Sequence, residues 1–213
     1  MIKPERTSVM NFENALRGMR NPMNSWDKSD SVFNPALCIG PNDLDLAQRL
    51  VGAGSDDRKF LRQIFVSVDV TAPLYWWKEM DQYRVAVTTN STSTMHKIHA
   101  KEFTPDDFSH EHLSAEYLES LNLTIAILNK ARRKYNETKD KQYWHNMIQL
   151  LPSSYNQMRT CTLNYENLIN IYFARRYNKL DEWHKFCDWI VGLPYFKEIC
   201  IEGMKRKEGV TWK

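Results

Sequence analysis

Ile64, Val66, Val68 and Val70 alternate with Gln63, Phe65, Ser67, Asp69 and Thr71. A period of two over residues 63–71 predicts a strand with one apolar and one mixed face, and Pro73 ends it. Elsewhere the period is mostly helical. Val9, Phe12, Leu16 and Met19 predict a helix after a short first strand within residues 1–20. Residues 21–43 hold Pro22, Pro35 and Pro41 among Asn, Asp and Ser, and read as a long irregular connection, a lid or a subunit contact. Asp43 is placed to cap a helix reaching about Gly52. The segment 74–87 reads as a helix and 96–103 as a second strand. Thr104-Pro105-Asp106-Asp107 is a helix start. Helices follow over 115–135, 139–151, 161–177, 181–191 and 194–204, with 153–159 as a connector. Strands early and a helical C-terminal half predict an α+β fold, an antiparallel sheet packed with helices. The expectation is a single domain over residues 1–213 with a loose tail at 205–213.

Composition changes this picture little. The net charge of +3 is too small to argue for nucleic acid, and the basic run Arg132-Arg133-Lys134 complements a helix C-terminus. No apolar run approaches the roughly 20 residues needed to span a bilayer, and the polar N-terminus lacks the apolar core of a signal peptide. The four cysteines, Cys38, Cys161, Cys187 and Cys200, are widely spaced and suggest isolated thiols in a reducing, cytoplasmic setting. His96-x-x-His99 and His110-x-His112 do not enforce a shared metal site, so no metal is expected. The seven Trp are abundant for 213 residues; they can build a core, stack on flat rings or fill subunit interfaces.

Chemistry enters at residues 73–97. An aromatic segment, Pro73-Leu74-Tyr75-Trp76-Trp77, leads to Gln82-Tyr83-Arg84. A run of hydroxyl and amide side chains follows, including Asn90 and Ser93, with Ser93 eight residues beyond Arg84. This layout resembles the signature of flavin-dependent thymidylate synthases, in which a strand ending in Pro feeds a helix bearing Arg-His-Arg and a Ser follows after seven or eight residues. Leu151-Pro152, Asn164, Asn170, Arg175 or Arg176, and Glu182-Trp183 resemble the family's C-terminal half in order and spacing. The matching pieces cover roughly residues 55–200.

The resemblance implies FAD as cofactor, with reduced nicotinamide and methylenetetrahydrofolate as co-substrates, a pyrimidine nucleotide such as dUMP as substrate, and a cytoplasmic homotetramer that shares its sites between subunits. It implies Arg84 and Ser93 as catalytic residues. Gln82, Tyr83, Arg84, Asn90, Asn164 and Asn170 are implied against the flavin, and Glu79, Ser93 and Arg175 against the substrate. The family's first Arg and its His are replaced by Gln82 and Tyr83, and two phosphate-binding Arg positions by Met95 and Ile148. A phosphate dianion needs charge-assisted donors that Met and Ile cannot supply; His96, Lys97 and Arg159 are the cations at hand to compensate. On helical geometry Asn164 and Arg175 share a face, which favours Arg175 over Arg176 as the pocket residue. By residue type alone, 88–94 also reads as a hydroxyl-rich turn, and Asn164, Asn170 and Arg175 also read as polar groups satisfied within the protein. Two other functions fit the sequence: a non-catalytic nucleotide- or flavin-binding or regulatory homologue, and a nucleic-acid-associated module.

Overall fold

The computed structural model describes residues 2–207. Four strands form one antiparallel sheet in the order β1-β2-β4-β3. They are β1 (Lys3–Met10), β2 (Phe65–Pro73), β3 (Thr88–Ser91) and β4 (Asn156–Asn164). Nine α-helices accompany them among the described residues: α1 (Phe12–Met19), α2 (Pro41–Ala53), α3 (Leu74–Met80), α4 (Thr94–Lys97), α5 (Ala115–Thr138), α6 (Lys141–Leu150), α7 (Tyr165–Arg175), α8 (Asp181–Val191) and α9 (Glu202–Lys207). The fold is α+β, as the patterning predicts. Among the described residues no helix is long and apolar enough to cross a membrane.

The contacts divide the chain into two compact units, one of residues 1–5, 69–83 and 89–160, the other of residues 6–68, 84–88 and 161–213. In the first unit α5 buries Leu121, Ile125, Leu128 and Ala131 against Ile98, Phe103, Phe108 and Met147. Buried Asn129 satisfies its amide on both sides of Phe103, accepting from the backbone N–H at 2.9 Å and donating to the carbonyl at 2.8 Å. Trp76 and Trp77 are fully buried and pack edge to face at 4.8 Å. In the second unit α1 buries Phe12, Ala15, Leu16 and Met19, α7 buries Leu168, Ile169 and Ile171, and α8 buries Trp183, Phe186 and Ile190. Three Trp among the described residues are therefore fully buried core.

The alternation over β2 is realised: Ile64, Val66, Val68 and Val70 are buried while Phe65 is exposed. The helix expected over 74–87 ends at Met80, so Gln82, Tyr83 and Arg84 lie in the turns that follow. The strand expected over 96–103 is absent; α4 and a turn occupy that stretch, and the neighbouring strand is β3. The connector at 153–159 and the start of the helix expected at 161 are instead β4. Its polar sequence, Asn-Gln-Met-Arg-Thr-Cys-Thr-Leu-Asn, hides the strand from a hydrophobic pattern.

Asp43 does not cap α2. Gly40 is the cap and Pro41 opens the helix, where its fixed φ suits the first turn. Asp43 is buried and takes Arg20 Nε at 2.6 Å, the hydroxyls of Ser29 and Ser31, and the N–H groups of Asp30 and Ser31. Asp30 returns the favour by accepting from the N–H groups of Asn42 and Asp43. The long connection is thus tied to the start of α2 by two reciprocal carboxylates. The expected tail divides: Lys205–Lys207 belong to α9, and residues 208–213 lie outside the described residues.

Candidate functional site

In the first unit the sheet and the chain after β3 enclose an open cavity of about 510 Å³. Ser93, Lys97, Lys101, Asp107, Tyr155, Asn156 and Met158 are among its lining residues. The wall carrying Ser93 is fixed from β4: the Thr92 N–H donates to the Met158 carbonyl at 2.9 Å, and Gln157 Nε2 donates to the Thr92 carbonyl at 2.7 Å. Ser93 caps α4, its Oγ accepting the His96 N–H at 3.0 Å. Lys97, one turn on, lines the same cavity.

Across the cavity Lys101 bonds Asp107. That hydrogen bond raises the lysine above its ordinary pKa, against a smaller opposing effect of burial. Asp107 also closes a capping box with Thr104. Tyr155 is held above the usual phenol range by burial and by the Asp107 charge, so it remains a neutral hydroxyl at physiological pH. The cavity therefore offers two lysines, of which Lys101 is paired with Asp107, together with Asp106, hydroxyls and a neutral phenol; its donors toward an oxyanion attached to a ring are Lys97 and the hydroxyls.

The other expected residues of this unit are placed as follows. Glu79 is half-buried in the last turn of α3; Gln82 and Asn90 are exposed and Tyr83 is half-buried. Arg159 is engaged: it stacks 4.3 Å over the Trp77 ring, bonds Asp81 at 2.7 Å and donates from Nε to Gln157 at 3.0 Å. Met95 is half-exposed and its carbonyl accepts from Trp144 Nε1 at 3.0 Å. Ile148 packs against the apolar cluster of α5 and α6. His96 is exposed and His99 half-buried. Among the described residues no three His, Cys, Asp or Glu side chains gather as a metal-binding group.

In the second unit Arg84 is exposed, and the next carbonyl, of Val85, accepts from Asn167 Nδ2 at 2.8 Å. Asn164 is not inside a helix. Its backbone is extended, and it caps α7 in a reciprocal box with Asn167, at 2.9 and 3.1 Å. The helical angle that paired it with Arg175 therefore does not apply. Asn170 lies within a buried network: Arg58 reaches Glu166 by Nε at 2.9 Å and by Nη2 at 3.0 Å, and the same Nη2 donates to Asn170 Oδ1 at 3.1 Å. Arg175 sits 4.8 Å over the Trp183 ring, while Arg176 stacks at 4.8 Å on both Phe173 and Tyr177. The structure thus brings Ser93 and Lys97 into one cavity and engages Asn164 and Asn170 locally within the second unit.

Sequence reasoning missed Lys101, Asp107 and Tyr155 as cavity residues. The Thr104–Asp107 cap was legible, but Tyr155 reaches the cavity through the unrecognised approach to β4. An Asn about one turn before an apolar run, followed three residues later by a second Asn, was an available sign that Asn164 caps rather than continues a helix.

No family model matches the sequence, and a search of curated proteins returns no match. Solved structures do match. Thymidylate synthase X (ThyX) of Helicobacter pylori with FAD and dUMP aligns at TM-score 0.70 and 16% identity, over 96% of this chain and all of that one. A second structure of that flavin-dependent enzyme with the same ligands gives 0.67 and 16%, over 93% of this chain and 96% of that one. The UMP/dUMP methylase PolB of Streptomyces cacaoi, bound with 5-Br dUMP, gives 0.62 and 12%, over 98% of this chain and 95% of that one. The fold of this chain is that of the flavin-dependent thymidylate synthases, in a strongly divergent sequence.

Proposed function

We propose that this protein binds a pyrimidine nucleotide and FAD and acts on the pyrimidine ring by one-carbon transfer, in the manner of its structural neighbours. The observation that carries this reading is the cavity lined by both Ser93 and Lys97, close to the position where Met95 stands for a phosphate-binding Arg. Lys97 is the charge-assisted donor for the nucleotide phosphate in place of the missing pair, with Ser93 beside it. Tyr155 remains neutral and supplies a hydroxyl to the same ligand. Arg84 is assigned to stabilising charge on the ring, Glu79 and Arg175 to the substrate. The donor types of Gln82, Tyr83 and Asn90 fit a flavin, whereas Asn164 and Asn170 contribute only through whatever hydrogen-bonding capacity their local partners leave. When bound, FAD supplies the hydride chemistry, with reduced nicotinamide and methylenetetrahydrofolate as reductant and carbon source. A cytoplasmic homotetramer is part of the same proposal.

Two measurements test this. Saturating FAD is expected to raise the melting temperature by mass action, and no shift together with no flavin absorbance removes the flavin. Lys97→Ala is expected to weaken dUMP binding by roughly tenfold or more, the loss of one charge-assisted contact being about 1.5–3 kcal/mol. Calorimetry giving equal affinities for both proteins sinks the Lys97 assignment. A second reading, ligand binding without turnover, is favoured by the apolar surroundings of Ile148 and by the capping duty of Asn164. Methylation of dUMP by the purified protein decides against it.

A further inference from the structure

The mixed face of β2 and the start of β4 together make one wall of the cavity. On β4, Asn156 and Met158 flank the buried Gln157, so these two share the opposite face of the strand. Both line the cavity, as does Thr71 of β2. Farther along the same face Thr160 donates to Asp69 at 2.6 Å. The wall is thus polar, and it stands in the same cavity as Lys97.

Asn156 differs from the other groups on this wall because its orientation is set from behind. The Ser109 hydroxyl, on a residue only 7% exposed, donates to Asn156 Oδ1 at 2.9 Å. Ser109 is itself fixed by its N–H, which donates to the Ser154 carbonyl at 2.8 Å, and by the antiparallel bridge between Phe108 and Tyr155. Among the described residues no other hydrogen bond engages the Asn156 side chain. The end of the carboxamide left for a ligand is therefore Nδ2, which only donates.

That polarity matters to a pyrimidine ring. Position 4 carries a carbonyl in uracil, an acceptor, and an amine in cytosine, a donor. A carboxamide free to turn over would serve both rings. One held by its oxygen serves the first and meets the second donor to donor, leaving two polar groups without partners. We propose that Asn156 reads the exocyclic group at position 4 of the pyrimidine, and that Ser109 is a positioning residue that sets its sense, so that the cavity takes a 4-oxo and rejects a 4-amino ring. The assignment rests on the cavity being a pyrimidine-nucleotide site. Lys97, by contrast, faces a phosphate that both nucleotides carry, so affinity and base selection reside in different residues.

Calorimetry of the full chain with dUMP and with dCMP tests this. The wild type is expected to bind dUMP at least about tenfold more tightly than dCMP. Asn156→Asp changes little in size, still accepts from Ser109 and turns an acceptor toward the ring, so the preference is expected to reverse. Ser109→Ala is expected to bring the ratio of the two affinities toward one, with a melting curve confirming that the variant is folded. Lys97→Ala is expected to weaken both nucleotides and leave the ratio as it was. Equal affinities in the wild type, or a ratio that Asn156→Asp leaves unchanged, overturn the role of Asn156 while dUMP binding itself stands. A ratio that Asn156→Asp reverses but Ser109→Ala does not move overturns the role of Ser109. Binding of neither nucleotide removes the nucleotide site and base selection together.

Discussion

Glu166 and Asn170 stand one turn apart on α7, and Arg58 grips both. The two charged side chains are about nine-tenths buried, at 10% exposure each, so the ion pair is held where neither partner can fall back on water. Glu166→Gln leaves a buried guanidinium without its counter-charge and is expected to cost about 3–5 kcal/mol, read as a lower urea midpoint at unchanged slope. A midpoint within experimental error of the wild type would show that Arg58 finds another partner. The same pair orients the Asn170 amide, so any flavin contact by Asn170 inherits its geometry from Arg58. Asp43 gives a pH prediction. Burial alone would raise its pKa, but hydrogen bonds from Ser31, Ser29 and Arg20, with the Arg20 charge, outweigh it and hold the carboxyl below its ordinary value of 3.8. A depressed folded-state pKa means that the unfolded chain takes up the proton first. The stabilisation is complete above the ordinary carboxylate pKa and is lost as pH falls through the lower folded value. Replacing Asp43 by Asn is therefore expected to lower the melting temperature at neutral pH, with the difference shrinking below about pH 4. A difference that stays constant down to acid pH would remove the carboxylate from the account.

At the scale of elements, what the sequence makes legible follows the strength of its period. The strand β2 and the helix α8 fall where the pattern places them because each has an apolar face that repeats without interruption. Two boundaries were not legible, each for a local reason. α3 ends at Met80 with no Gly or Pro to mark it; Asp81 and Gln82 continue a helical-looking composition. β4 runs into α7 with no intervening turn, so its polar-rich first residues read as a connector and its last ones, from Cys161, as the start of the helix. The cavity depends on β4, since Gln157 and Met158 fix Thr92 and hence Ser93. Once the strand was missed, Tyr155 and its neighbours could not be assigned, although Ser93 itself was. The packing of α9 on α2 is likewise invisible in the sequence. Gly203 is buried there, and a Cβ added to it would lie 2.7 Å from Val51 Cβ and 3.0 Å from the Gln48 carbonyl. Gly203→Ala is expected to destabilise by about 1–3 kcal/mol through this overlap, despite alanine's better helix propensity. A stabilised variant in denaturant titration would show that α9 moves freely.

For the whole molecule, the aromatic count is instructive. Trp76, Trp77 and Trp183 are spent on the cores of the two units, so the abundance of Trp speaks first for packing and only afterwards for subunit contacts. The chain crosses between the units five times. Of the boundaries between them, those at 5/6, 68/69, 88/89 and 160/161 fall inside β1, β2, β3 and β4, and only the one at 83/84 falls in a turn. Differential scanning calorimetry is expected to give a single cooperative transition, with calorimetric and van't Hoff enthalpies equal; two resolved transitions would show that the units melt separately. Each of the four strands thus has residues assigned to both units. Neither unit is therefore a continuous stretch of chain, and a cut at any of those four boundaries would sever a strand.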